Sequence, residues 1–89
     1  METLTVLGTW DAAVANSVVH ELARARGLHP TNMQNAHEAY AVIKEELDEF
    51  WAEVMKKSEA RSKEKMAEEL IQVAAMAIRA VTDLHLRYT

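Results

Sequence analysis

The sequence predicts an all-α protein, and two observations support that prediction. The 89 residues include only two glycines and one proline, which leaves long segments without a helix breaker. Apolar residues in those segments recur at the three- and four-residue spacing of a helix. The chain has no cysteine, so neither a disulfide nor a thiolate metal site can stabilise it. We expect residues 1–89 to form a single domain, whose small core favours self-association.

The first helix is expected to begin near Thr9 or Asp11, because both side chains can cap free backbone amides. It should end near Arg26, since Gly27 suits the left-handed position after a helix. Pro30 then falls in the loop that follows.

The second helix is expected to begin after Asn32 or Asn35 and to run to about Lys57. Asn35 and Glu38 have the spacing of a capping box, with Asn in place of Ser or Thr. A polar loop should follow at residues 58–61.

The third helix should begin at about Ser62, a further capping residue, and continue beyond Leu84. Because the loop before it is short, the second and third helices are expected to form an antiparallel hairpin. The first helix would then pack beside this hairpin.

Each helix of the hairpin has an apolar stripe that we expect to face a core. On the second helix the stripe contains Ala36, Tyr40, Ile43, Leu47, Phe50 and Val54. On the third helix it contains Met66, Leu70, Val73, Ala77, Val81 and Leu84. Opposite this second stripe lies another apolar surface, formed by Ile71, Ala75 and Ile78. A helix that is apolar on two sides needs two partners. One can be the second helix, and the other could be the first helix or a second subunit.

The acidic residues of the second helix do not form one uniform patch. A turn of about 100° per residue places Glu46, Glu49 and Glu53 together on one flank of the apolar stripe. Glu45 and Asp48 point elsewhere, mostly to the far side.

The third helix has a similar arrangement, with Glu69 at the edge of its stripe and Gln72 and Asp83 farther round. Groups three residues apart on two facing helices can converge on a hard cation such as Mg²⁺. Glutamates at this spacing are also abundant on solvated helix faces, so the pattern by itself leaves both interpretations open.

Charge and hydropathy exclude some classes of function. The net charge is −4 and no basic block is present, which disfavours binding to a nucleic-acid polymer. The N-terminal segment has no basic region before its apolar residues, and no apolar run approaches the roughly 18 residues of a membrane span. We therefore expect a soluble, cytoplasmic protein without a membrane partner.

Two short motifs carry a resemblance to a known family. EELDE, at residues 45–49, and EELIQ, at residues 68–72, resemble the EExxE and EELxD motifs of MazG-like, all-α nucleoside triphosphate pyrophosphohydrolases. The separation of the motifs also suits that family. The resemblance covers about residues 34–85.

The resemblance implies a hydrolase that depends on Mg²⁺, with Mn²⁺ as a substitute, and converts a (d)NTP into a (d)NMP and pyrophosphate. It implies that Glu46, Glu49, Glu69 and Gln72 hold the metal, and that Glu45 or Glu49 activates the attacking water. It also implies a homodimer or tetramer in which the hairpins form a four-helix-type bundle. Basic residues, Arg79 among them, are expected to be solvated or to steer the triphosphate towards the acids.

Gln72 departs from the family pattern, which has Asp at this position. An amide oxygen can ligate Mg²⁺ but brings no charge, so metal affinity should fall. Glu53 is an auxiliary carboxylate that could compensate, and Asp83 is a more distant one. The alternative interpretation is a catalytically silent, MazG-like interaction or scaffold protein, and a third is a structural dimer without metal. The sequence predicts neither the base preference nor the residues that bind the substrate.

Overall fold

The computed structural model describes residues 8–86, which form three α-helices and no strand. Helix α1 spans Thr9–Leu28, α2 spans Ala36–Val54 and α3 spans Lys63–Asp83, with a short 3₁₀ helix at Ser58–Ala60. The prediction of an all-α chain is confirmed for this part of the protein. Within the same residues, no helix is both long enough and apolar enough to cross a membrane.

The predicted caps at the starts of α2 and α3 are confirmed. Oδ1 of Asn35 accepts a hydrogen bond of 2.9 Å from the backbone N–H of Glu38. The Glu38 carboxylate returns to the backbone N–H of Gln34, at 3.1 Å. The Ser62 hydroxyl accepts from the backbone N–H of Lys65 at 3.0 Å. These bonds satisfy amides that have no partner inside the helix and thereby fix where the hairpin helices begin.

All three helix C-termini and the cap of α1 differ from the prediction. The N-cap of α1 is Gly8, without a side-chain hydrogen bond from Thr9 or Asp11. Helix α3 ends at Asp83 and does not continue beyond Leu84.

Helix α1 continues through Gly27, which does not adopt a left-handed conformation, because a guanidinium from α3 binds the last carbonyls instead. Helix α2 ends at Val54, before Lys57. The Arg61 side chain donates to the Val54 carbonyl at 2.9 Å, so a side chain from beyond the helix caps its end.

Helix α3 is the central element and packs against both other helices. It runs antiparallel to α2, since Glu53 meets Ser62 at one end of the hairpin and Asp83 meets Met33 at the other. It runs parallel to α1, since Arg26 in the last turn of α1 bonds to Asp83 at the C-terminus of α3. The arrangement is an up-down-up bundle in which α3 packs against both α1 and α2.

The core is small and rich in alanine. Ala75 is completely buried at the centre of α3, and short side chains around it allow the helix axes to approach closely. The other buried apolar residues are Val18, Ala25, Met33, Ala39, Met76 and Ala80. Polar residues are buried beside them on α3, so its inward edge carries both apolar and charged groups.

The prediction that the two long apolar stripes form the core of the chain is wrong for much of their length. Tyr40 is 67% exposed, Leu47 49%, Leu70 46% and Val81 38%. Helix α3 turns the edge that contains Ala75 towards its neighbours, because small residues there permit the closest packing. The stripes therefore remain as apolar surfaces on the outside of the single chain.

Candidate metal centre

Three carboxylates from the two hairpin helices converge at one point. Glu46 and Glu49 lie one turn apart on α2, and the antiparallel packing of α3 brings Glu69 opposite them. One oxygen of each residue lies within 4.8 Å of the others. Glu69 is buried, Glu46 is half-buried and Glu49 lies at the exposed rim. The site is therefore closed on the core side and open towards solvent.

Crowding of negative charge changes the protonation of this cluster. A hydrogen bond with Glu69, followed by burial and the charge of Glu46, raises the pKa of Glu49 to about 7. Burial, and then the charge of Glu69, raises the pKa of Glu46 as well. Carboxylates this close cannot all ionise without a counter-charge, so a proton is retained near neutral pH. A divalent cation at the same point would replace that proton.

Gln72, one turn after Glu69 on α3, also points into the cluster. In the amide orientation that satisfies its neighbours, its nitrogen donates to Glu46 at 2.8 Å and to Glu69 at 3.1 Å. In the opposite orientation the amide oxygen faces the same two carboxylates, which is unfavourable unless a cation lies between them. The same side chain can thus act as a donor to bare carboxylates or as an oxygen ligand.

Lys65 supplies the nearest positive charge to the cluster. Its ammonium lies 3.4 Å from Glu69, one turn away on α3, and its side chain is half exposed. An exposed lysine of this kind gives only partial and easily displaced compensation. When Glu46, Glu49 and Glu69 are all ionised, their three negative charges exceed the single positive charge of Lys65.

Glu53 and Asp83 do not join the cluster, and Glu45 lies beside it on the exposed side of α2. Glu53 is almost completely buried and accepts from the Ser62 amide at 2.9 Å and from Lys56 at 3.0 Å. The Ser62 hydrogen bond and then Lys56 lower the pKa of Glu53. Its carboxylate therefore anchors the turn between α2 and α3.

Asp83 is engaged at the far end of α3. Burial alone would raise the pKa of Asp83, but hydrogen bonds from the Met33 amide, Arg26 and Arg79 outweigh it and hold the pKa below its usual value. Each of these bonds measures between 2.9 and 3.2 Å. This carboxylate is fully occupied by the protein's own donors.

A cleft of about 720 Å³ opens directly beside the carboxylates. Glu46 and Gln72 form one end of it, so the cleft and the cluster share a boundary. Its volume falls in the range of small-molecule sites. The apolar part of its wall consists of Ala25, Leu28, Met33, Val42 and Met76. Sequence analysis missed this cleft, because its walls come from three helices and a connection that are far apart in the sequence.

The fold and the cluster together define a small helical protein with an acidic site between two antiparallel helices. No protein-family model, no curated protein sequence and no solved structure matches this chain. The site itself and the two motifs that form it are therefore the features that bear on its function.

Proposed function

We propose that the protein is a MazG-like, Mg²⁺-dependent nucleoside triphosphate pyrophosphohydrolase. It would convert a (d)NTP and water into a (d)NMP and pyrophosphate. The observation that carries the proposal is the convergence of Glu46, Glu49 and Glu69, within 4.8 Å, from both motifs of the resemblance. A nucleotide substrate also implies a cytoplasmic location, where nucleotide pools lie.

Mg²⁺ prefers oxygen ligands from one or two carboxylates and completes its octahedron with water and phosphate oxygens. Glu46, Glu49 and Glu69 would supply the carboxylates, and Gln72 would turn its amide oxygen inward as a neutral ligand. A Mg²⁺ ion held by these residues would supply electrostatic stabilisation of the charge that develops on the pyrophosphate leaving group. Mn²⁺ has similar ligand preferences and is the expected substitute.

The attacking water must lose a proton as it bonds to phosphorus. Glu49 is suited to accept it, because it lies at the exposed rim of the cluster. Glu45 is the second option, since it borders the same cleft. If Glu49 is the base, one residue both accepts the proton and binds the metal. If Glu45 is the base, these two roles belong to different residues.

The cleft beside the carboxylates suits the remainder of the substrate. Its apolar wall can receive a base and sugar while the phosphates extend to the metal at Glu46 and Gln72. Glu21 and Arg24 lie at its edge, joined by hydrogen bonds of 2.7 and 2.9 Å. The Arg24 guanidinium is about half exposed and could contact the outer part of a bound ligand.

The apolar stripes support a homodimer or tetramer. Tyr40, Leu47 and Trp51 lie on one face of α2, and each is about half exposed or more. Leu70 and Val81 continue an apolar surface on α3. Surfaces of this kind mark protein interfaces, so two hairpins would bury them in a four-helix-type bundle.

The test is pyrophosphate release from a panel of NTPs and dNTPs with Mg²⁺ or Mn²⁺. We expect turnover in the wild type and its loss in Glu46→Gln and Glu49→Gln. Asp48→Asn is the matched control, because Asp48 lies on the same helix but pairs only with the exposed Lys44. Full activity in both glutamine variants would overturn the assignment.

A catalytically silent scaffold is the alternative, and the hydrogen bonds of Gln72 favour it. An amide that donates to Glu46 and Glu69 stabilises the cluster without any metal. A protein that self-associates but gives no turnover with any nucleotide would support this alternative. Saturable Mn²⁺ binding would exclude the simpler structural dimer, in which the acids have no ligand.

A further inference from the structure

A buried arginine at the C-terminal half of α3 binds the connection between α1 and α2. The Arg79 side chain is only 5% exposed, and its Nε donates to Asp83 at 3.2 Å. One terminal nitrogen donates to the carbonyls of His29 and Thr31, the latter at 2.9 Å, and the other reaches the Ala25 carbonyl at 3.5 Å. One guanidinium thus holds three backbone carbonyls and one carboxylate.

Asp83 completes the attachment from the same helix. Its hydrogen-bond partner in the connection is the backbone N–H of Met33, at 2.9 Å, and Arg26 donates to its other oxygen at 2.9 Å. The pair of Arg79 and Asp83 therefore binds both the carbonyls and an amide of residues 29–33. This segment contains neither helix nor strand, so these bonds replace the ones that secondary structure would supply.

The segment held in this way is a wall of the cleft. His29, Pro30, Thr31 and Met33 line one side of it, while Glu46 and Gln72 lie at the carboxylate end. Gln72 and Arg79 are seven residues apart on α3, which is two turns, so they share one face of the helix. A single helix thus carries a member of the acidic site and the anchor of the opposite wall.

We propose that Arg79 and Asp83 are positioning residues that fix residues 29–33 as the wall against which a nucleotide's base and sugar pack. The inference rests on the proposed function. Arg79 also borders the cleft, but its nitrogens already donate to Asp83 and to backbone carbonyls, so we assign it a positioning role and not a catalytic one. Without the pair the connection would sample several conformations, and a ligand would have to order it on binding. Removal of either residue would therefore weaken nucleotide binding. The rate of the chemical step at the carboxylates would stay the same.

The test compares Arg79→Lys and Arg26→Gln with the wild type. Lysine keeps the positive charge but cannot present a planar fork to several carbonyls at once. Arg26→Gln removes only the outer contact to Asp83, and its side chain is one-third exposed, so this variant should fold even if the first does not. Steady-state KM and kcat for pyrophosphate release are measured alongside Mn²⁺ affinity and thermal stability.

We expect Arg79→Lys to raise the nucleotide KM roughly tenfold, since it breaks buried hydrogen bonds, while kcat and Mn²⁺ affinity stay within about twofold. Arg26→Gln should raise KM by about threefold. Ala75→Gly is the control: it lies at the centre of α3 away from the cleft, so it should lower thermal stability but leave KM unchanged.

Three outcomes would count against the inference. An unchanged KM in the folded arginine variants overturns the positioning role alone. A similar rise of KM in Ala75→Gly would show that lost stability is sufficient, and also overturns it. Wild-type protein that neither binds nor hydrolyses nucleotides would overturn the proposed function, and the inference with it.

Discussion

The two halves of the inward edge of α3 both bury charge, but they balance it in opposite ways. Glu69 meets two further carboxylates, and the pKa of Glu49 rises to about 7 as a result. Asp83 meets two guanidinium groups and a backbone amide, and its pKa falls. The carboxylates around Glu69 repel one another, whereas the carboxylate of Asp83 is fully paired with hydrogen-bond donors and positive charges.

In our proposal, this difference separates a site that binds a ligand from a contact that holds the fold. A buried charge is unfavourable unless a counter-charge and hydrogen bonds compensate it. The chain supplies both at Asp83, so nothing further is required there. At Glu69 it supplies an exposed lysine and an amide, and the remaining imbalance favours a cation from outside.

The largest expected effect comes from removing a charge at the acidic end. Glu69→Gln should lower kcat/KM by at least about a hundredfold, because a metal ligand and part of the transition-state stabilisation are lost. The thermal stability of the metal-free protein should hold or rise, since repulsion is relieved. Pyrophosphate release and thermal melts measure the two effects, with the exposed neighbour Glu68→Gln as control. A large fall in stability would contradict the comparison.

Removing the charge of Asp83, at the paired end, should instead lower the stability of the fold. Asp83→Asn leaves Arg79 buried without its counter-charge and should cost about 3 kcal/mol of unfolding free energy. Asp48→Asn breaks an exposed pair and should cost less than about 1 kcal/mol. Urea denaturation at fixed protein concentration measures both. Equal effects would mean that burial does not distinguish these two ion pairs.

Adding a negative charge at Gln72 tests the same comparison by increasing the repulsion at the acidic end. Gln72→Asp supplies a fourth carboxylate and should tighten Mn²⁺ binding about tenfold, because ligand charge sets the affinity of hard-cation sites. The metal-free variant should melt at a lower temperature, since repulsion increases. Calorimetric titration with Mn²⁺ gives the affinity, and Gln72→Asn controls for side-chain length. A weaker affinity in the aspartate variant would argue against Gln72 as a ligand.

The smallest expected effect is a pH dependence of the metal-free protein. The pKa of Glu49 is about 7 in the folded chain against an ordinary 4.5, so the folded state binds the proton more tightly. This contribution to stability is present at low pH and is lost as the pH rises through about 7. Asp83 and Glu53 have lowered pKa values, so they stay ionised across this range and do not oppose the trend.

Thermal melts between about pH 5.5 and 7.5 should therefore show a falling melting temperature without metal. Mg²⁺ should raise the melting temperature more at the upper end of this range, where it no longer competes with a proton. Glu49→Gln removes the titrating group and should flatten the profile. A melting temperature that rises with pH in the metal-free wild type would contradict the assignment.

Local signals predicted three helices, and the structure brings Glu46, Glu49 and Glu69 together at the helix edges where their spacing had placed them. Asn35, Glu38 and Ser62 form the expected caps, because capping depends on residues close in sequence. The helical angle placed Glu46 and Glu49 on one edge, and a short turn was sufficient to bring Glu69 opposite. These features need no knowledge of distant contacts.

The rest depended on contacts that no local pattern encodes. Arg79 was expected among solvated basic residues, but it is buried, because its partners are carbonyls of a connection about fifty residues away. The apolar stripes showed that the helices are amphipathic, yet periodicity cannot tell which face meets another helix of the same chain. The alanines around Ala75 decided that choice by allowing the closest approach.

The seven-residue separation of Gln72 and Arg79 on α3 limits how the length of this helix can change during evolution. A helix advances about 1.5 Å and turns about 100° with each residue, so inserting or deleting one residue between them would swing one group off the shared face. The distance from acids to cleft wall therefore cannot be adjusted in small steps. New ligand preferences would have to arise from exchanged side chains along the cleft, with the length of α3 between these two positions held constant.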